Sequence, residues 1–146
     1  MPILKEIKKH KILLDTHVWI WAMMGDSCLS ESFRQTFERV GKTHGILLSS
    51  MSIWEIGMLV QKKRIEIDMD VLDWVERALG LSGLDLCPIS PRIAIQSTRL
   101  TGDVHGDPVD RLLIATAFEE NAVLVTCDHK ILEYAKSNCF SAFNPC

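Results

Sequence analysis

Long apolar runs are missing from this chain of 146 residues. None approaches the roughly 20 residues that cross a bilayer as a helix, so no membrane span is expected. Internal repeats, low-complexity tracts and linkers are missing too. The five prolines and eight glycines are scattered, and the length fits one domain over residues 1–146. Strong charge of either sign is lacking, with a formal net charge of −3. That removes a global attraction for nucleic acid, while a local basic surface beside an acidic site stays compatible with it. Paired cysteines are also wanting. Cys28, Cys87, Cys127, Cys139 and Cys146 make an odd set without a CxxC spacing, against both a disulfide framework and a zinc site. Free thiols in a reducing cytoplasm are the expectation. The opening MPILKEIKKH carries lysines but no apolar stretch with a cleavage site after it. It therefore reads as a loose basic lead-in over residues 1–10 rather than a secretory leader.

What the chain has is alternation. Short, continuously apolar runs suited to strands buried on both faces fall at Lys11–Asp15, Ile46–Ser50, Leu86–Ser90 and Val123–Asp128, with a weaker fifth in CFSAFN. Helical segments lie between them. THVWIWAMM is short and apolar, and part of it is suited to face a partner chain. SESFRQTFERVG has Ser30 as cap and Gly41 as stop; MSIWEIGMLVQKK and MDVLDWVERALGL are amphipathic, the latter capped by Asp70. PRIAIQSTRLTG runs from Pro91 to Gly102, and DPVDRLLIATAFEEN and DHKILEYAKSN follow. Such an order predicts an α/β fold with a mostly parallel sheet.

The stretch HGDPVDRLLIATA poses the functional question. Asp107 is a good N-cap with Pro108 at the first helical position. Asp110, at the third, suits the positive end of a helix, but Asp is short for a capping box. It either supports the cap or projects into the loops above the sheet. Asp15 ends the first strand and Asp128 the fourth, at the edge where open α/β sheets bind ligands. Each also suits the cap of the helix that follows. Glu55, between Trp54 and Ile56, lies at the edge of an apolar face where a charge needs a partner: a metal, or an Arg such as Arg111. Together Asp15, Glu55, Asp110 and Asp128 suggest a carboxylate cluster. Like charges in one cleft raise one another's pKa, and a divalent cation removes that difficulty. All-oxygen ligands select Mg²⁺ or Mn²⁺, and a metal-activated water can attack a phosphodiester.

These residues, in this order, resemble the PIN-domain nuclease family and its VapC-like toxin branch. LLDTHVWIW looks like the family's first segment, LSSMSIWEIGML the second, HGDPVDRLLIATA the third and LVTCDHKIL the fourth, with Asp15, Glu55, Asp110 and Asp128 at the acid positions. The resemblance implies a three-layer α/β/α sandwich with a five-stranded, mostly parallel sheet. It implies Mg²⁺- or Mn²⁺-dependent hydrolysis of RNA by a cytoplasmic toxin, a homodimer, and a cognate antitoxin that blocks the cleft. The alternative is a catalytically silent PIN-fold module that binds RNA or a protein partner. A haloacid-dehalogenase-like phosphatase would want a second Asp two residues after Asp15, where His17 stands.

Supporting roles follow. Thr16 and Thr126 flank two acids and are placed to orient a carboxylate. Asp107 caps and supports the site. Of Ser49, Ser50 and Ser52, one caps the Glu55 helix and another reaches the cleft; Ser50 is the supporting candidate. His17 and His105 are near enough in sequence for a general-base role. Lys62, Lys63 and Arg64, with Arg92, are RNA-binding candidates; Arg99 and Arg111 are weaker ones. Trp19, Trp21, Trp54 and Trp74 read as core or interface.

Overall fold

The computed structural model describes residues 10–102, 104, 106–138 and 140–146. Most of the lead-in, His105 and Cys139 lie outside them. The elements run β1 (Ile12–Leu14), α1 (Thr16–Met24), α2 (Glu31–Thr43), β2 (Ile46–Ser49), α3 (Ser50–Gln61), α4 (Val71–Leu79), β3 (Leu84–Cys87), α5 (Pro91–Ser97), α6 (Pro108–Glu120), β4 (Val123–Val125), α7 (His129–Ser137) and β5 (Ala142–Phe143). The sheet order is β3-β2-β1-β4-β5, and all four pairings are parallel. Parallel neighbours need crossovers, which the helices provide on both faces.

Side chains alternate across β1. Ile12 and Leu14 join Ile46, Leu48, Val123 and Val125 in a core closed by Trp19, Phe33, Ile56 and Val75 from α1–α4. Leu13, Leu47 and Leu124 face the other way, against Leu113, Ile114 and Ala117 of α6 and Ile131 and Leu132 of α7. The result is the expected α/β/α sandwich. All three β1 residues are fully buried, as a central strand covered on both faces requires.

Three local expectations are corrected. The third strand is Leu84–Cys87 instead of Leu86–Ser90. It is an edge strand with Asp85 and Leu86 exposed, so the apolar-run signal fails there. Pro88 then follows without a ladder N–H, and Ser90 caps α5. Gly41 does not stop α2, which continues to Thr43. The helix ends before Gly45, whose φ is +89°, while Gly41 lets Ile46 pack closely: a Cβ there would stand 3.1 Å from Ile46 Cδ1. Helix α5 stops at Ser97, short of Gly102.

The cysteine expectation is corrected as well. Cys127 and Cys146 form a disulfide, while Cys28 and Cys87 are free thiols. The fold explains the pairing. Helix α7 and strand β5 return the chain alongside β4, where Thr126 N–H donates to Phe143 C=O at 3.0 Å. That brings the two Cα atoms within 6.7 Å, inside the bridging range. No helix among the described residues is long and apolar enough to cross a membrane.

Candidate active site

The strand order reverses between β1 and β4: β2 and β3 lie to one side of β1, β4 and β5 to the other. A crevice opens at such a switch point, outside the carboxyl ends of the strands. Asp15 follows β1 there. Its N–H continues the ladder by donating to Val125 C=O at 2.9 Å, and its carboxylate then meets donors at both oxygens. Thr16 N–H reaches Oδ1 at 2.7 Å and the Thr126 hydroxyl reaches Oδ2 at 2.7 Å. Thr126 Oγ1 also accepts from Asp128 N–H at 3.0 Å. One buried hydroxyl thus ties the strand-end acid of β1 to the backbone of the strand-end acid of β4.

Asp128 caps α7, accepting from Lys130 and Ile131 N–H at 2.8 and 3.2 Å. Asp107 caps α6, accepting from Val109 and Asp110 N–H at 2.9 and 3.2 Å. Asp110 sits in the first turn of α6. Capping and site geometry are therefore compatible: the turns that start α1, α6 and α7 also deliver acids to the crevice. Asp107, Asp110 and Asp128 line a cleft of about 740 Å³ with Gly106, Cys127, His129 and Lys130.

Electrostatics bring the remaining acids into the same group. Asp110 is pushed up to about 7, first by burial, then by repulsion from Asp107, Asp15, Asp128 and Glu55. Burial raises Asp15 as well, with a smaller push from Asp128, against the lowering effect of its Thr126 and Thr16 bonds. Glu55 is raised by burial and by Asp15 and Asp107, and lowered by a bond from Thr16 and by His17. Burial is the main reason all three carboxyls stand above their ordinary range, and the neighbouring carboxyls add a smaller push in the same direction.

Beneath it, the Thr16 and Ser52 hydroxyls are hydrogen-bonded at 2.9 Å, and both residues are fully buried. Ser49 takes the cap of α3, accepting from Met51 N–H at 3.1 Å. The buried contact falls to Ser52, not to Ser50, which is the first residue of the helix. Arg111 donates to the carbonyl of Ser97 at 3.2 Å.

The model of the PIN domain family matches residues 12–137. The chain belongs to the PIN-domain family. It is 30% identical over 120 residues to Ribonuclease VapC22 of Mycobacterium tuberculosis, covering 82% of this chain and 88% of that protein. Among solved structures it resembles VapBC2 from Rickettsia felis bound to a DNA fragment from their promoter, with a TM-score of 0.68 at 18% identity over 92% of this chain and 98% of that one. DNA-bound VapBC from Salmonella typhimurium gives 0.68 at 19% identity, over 93% and 98%. FitAcB from Neisseria gonorrhoeae gives 0.64 at 17%, over 92% and 97%. At such identities the likeness speaks for the fold.

Not every sequence candidate converges on the crevice of this PIN domain. Lys62, Lys63 and Arg64 follow the last residue of α3. They stand one helix length, about 18 Å, from the Ser49 cap. Arg92 pairs with Glu119 at 3.8 Å, and Glu119 lies at the end of α6 remote from Asp110, roughly 14 Å along the axis. Lys130 and His129, by contrast, line the acidic cleft, and sequence reasoning passed over both. A signal was available. A lysine in the first turn opposes the positive end of the helix dipole, so capping and dipole rules give no reason for Lys130 to stand there.

The donor set suits a hard divalent cation: carboxylate oxygens with surplus charge and no soft sulfur ligand among the acids. Among the described residues no three His, Cys, Asp or Glu side chains are gathered tightly enough to enclose an ion by themselves. Mg²⁺ does not require that, since it is held through one or two carboxylates with waters and substrate phosphate completing its shell.

Proposed function

We propose that this PIN domain is a divalent-metal-dependent endoribonuclease, the toxin of a bacterial toxin–antitoxin pair working in the cytoplasm. The observation that carries the reading is the convergence of three acids at the switch point of the sheet: Thr126 ties the Asp15 carboxylate to the Asp128 backbone, and Asp128 lines one cleft with Asp110. Family membership and the similarity to a protein named as a ribonuclease support it. The similarity in fold to VapBC complexes supports an antitoxin that covers the cleft, and a homodimer is part of the same reading.

In this reading Asp15, Asp110 and Asp128 hold Mg²⁺ or Mn²⁺, with Glu55 beside them. When bound, the cation supplies an acidified water and offsets charge building on the phosphate. The chain's own residues do the rest. Thr126 and the Thr16 N–H fix the direction of the Asp15 carboxylate before any ligand arrives, which lowers the ordering cost of binding. Asp107 holds the first turn of α6 and with it the height of Asp110. Lys130, which lines the cleft, provides a cationic edge for a phosphate of the RNA backbone.

Purified protein is incubated with labelled RNA oligonucleotides and a tRNA pool in Mg²⁺, Mn²⁺ and EDTA, beside Asp15→Asn prepared identically. Metal-dependent cleavage by the wild type and none by the variant is expected. Equal cleavage by both overturns the assignment of Asp15, and cleavage that persists in EDTA overturns the metal.

A further inference from the structure

Cys127 is the one residue between Thr126, whose hydroxyl donates to Asp15 Oδ2 at 2.7 Å, and Asp128, which caps α7. It is half-buried and lines the acidic cleft beside Asp107, Asp110 and Asp128. Its sulfur is bonded to that of Cys146, 19 positions further along the chain. The bridge therefore fastens segment 144–146 to the loop that carries an acid of the site. Neither free thiol, Cys28 or Cys87, lines that cleft.

Few other contacts hold the far end of the bridge. Strand β5 has two residues, Ala142 and Phe143, paired with Leu124 and Val125. Beyond it Pro145 is buried and its carbonyl accepts from Ser30 N–H at 3.3 Å, while Asn144 and Cys146 are exposed. Cys146 N–H turns back to the Asn144 side chain at 3.0 Å. Segments with few buried contacts open locally at low free energy, and a covalent tie restricts that opening at both of its ends. Reduction removes the tie. A dithiol attacks at exposed Cys146 and Cys127 leaves as thiolate; the second thiol then releases Cys146. The protein's S–S bond is replaced by one in the dithiol, and the two cysteines gain two electrons and two protons between them. Asp128 N–H keeps its bond to Thr126 Oγ1 at 3.0 Å, so the loop keeps its turn while losing its covalent anchor.

We infer that the Cys127–Cys146 pair is a redox switch for the cation site: bridged, it holds Asp128 in place for the cation, and reduced, it loosens the loop and weakens binding. The inference rests on the reading of Asp15, Asp110 and Asp128 as that site. In a cytoplasm that keeps thiols reduced, bridges are usually transient and redox-sensing. The bridged form is then the one an oxidant such as hydrogen peroxide produces. The peroxide takes up the two electrons and two protons of the thiol pair as its O–O bond breaks, leaving two waters. A bridge that served stability alone would leave cation affinity unchanged on reduction.

The test is a titration of the full chain with Mn²⁺ alone, without RNA, read by the EPR signal of the free ion. It is run on protein oxidised with stoichiometric hydrogen peroxide and on protein reduced by a dithiol that is removed under nitrogen beforehand. Intact mass reports the state of the pair. Reduction is expected to weaken Mn²⁺ binding about 10-fold, the low end of what losing a group that orients a ligand costs, and reoxidation to restore it. Mn²⁺ prefers oxygen to thiol ligands, so the freed sulfurs add no site of their own. Cys146→Ser should bind as weakly as the reduced protein under both conditions, and Cys28→Ser should keep the full response. Equal affinity before and after reduction overturns the inference, as does a pair that never bridges. So does a response that survives in Cys146→Ser or is lost in Cys28→Ser. If Cys146→Ser fails to fold, the reduced and reoxidised wild type decides. Asp128→Asn separates the two levels. Weaker binding in bridged Asp128→Asn, with no effect of reducing the wild type, overturns the switch and leaves the acidic site. Unchanged binding in bridged Asp128→Asn overturns both.

Discussion

Replacing Asp110 with Asn is expected to stabilise the metal-free protein at alkaline pH while removing its activity. Burial and four neighbouring carboxyls raise Asp110 from 3.8 to about 7. Between those values the folded chain holds a proton that the unfolded chain has released. The folded state then binds more protons, so stability falls as pH rises through that window and levels off above it. At about 1.4 kcal/mol for each unit, the loss for an insulated carboxyl between pH 5 and pH 7 approaches 3 kcal/mol. Asp110 is partly exposed, and solvent screening reduces the figure to about 1–2 kcal/mol. The neutral amide of the Asp110→Asn variant carries no charge and escapes this loss. The thermal midpoints of the variant and wild type, measured in EDTA, should separate by roughly 3–6 °C between pH 5 and pH 8, the variant higher. Saturating Mn²⁺ should reverse the order, because a ligand that binds the folded state stabilises it by mass action. A midpoint difference that does not change with pH would refute the reasoning, as would an Asn variant that loses stability at pH 8.

Three further outcomes follow from particular contacts. Thr126→Val removes the donor to Asp15 Oδ2 and the acceptor for Asp128 N–H; calorimetry should show roughly 10–100-fold weaker Mn²⁺ binding, and retained affinity would deny the residue its bridging role. Gly83→Ala should cost roughly 2–4 kcal/mol in urea unfolding, because φ is +87° there and a Cβ would collide with the Gly41 carbonyl. Cys146→Ser, or reduction of the wild type, should lower stability by up to about 3 kcal/mol, the entropy of a loop closed over 19 residues; equal midpoints with and without reductant would argue against the bridge.

The sequence was most readable where local rules and the site coincide. An apolar run ending in Asp announces both a buried parallel strand and its ligand edge, as in ILLD and VLVTCD. Asp107, Ser30 and Asp70 cap the helices expected of them. It was least readable where tertiary geometry decides. Strand β3 lies at an edge, so its exposed Asp85 and Leu86 broke the run that marks the other strands. Gly41 looked like a stop, but its missing side chain serves close packing instead. The Cys127–Cys146 bridge depends on β5 returning beside β4, which no spacing rule contains. The basic triplet after α3 stands out by its charge, yet it is Lys130, set against the helix dipole, that lines the cleft.

The bond from Thr126 to Asp15 spans 111 positions of the chain. Its two ends belong to adjacent central strands, so β1 stays open along one side until β4 has been made. A ribosome adding about 5–20 residues each second therefore releases the first acid several seconds before the groups that fix and complement it exist. Until then Asp15 lacks its hydroxyl partner, Asp128 is absent, and α7 has not begun. A nascent chain, or a fragment ending before Val123, holds most of the residues and none of the assembled site. Activity should switch on only after β4 and the start of α7 have been made. In the nuclease reading, the topology keeps the site unassembled while the message is being translated.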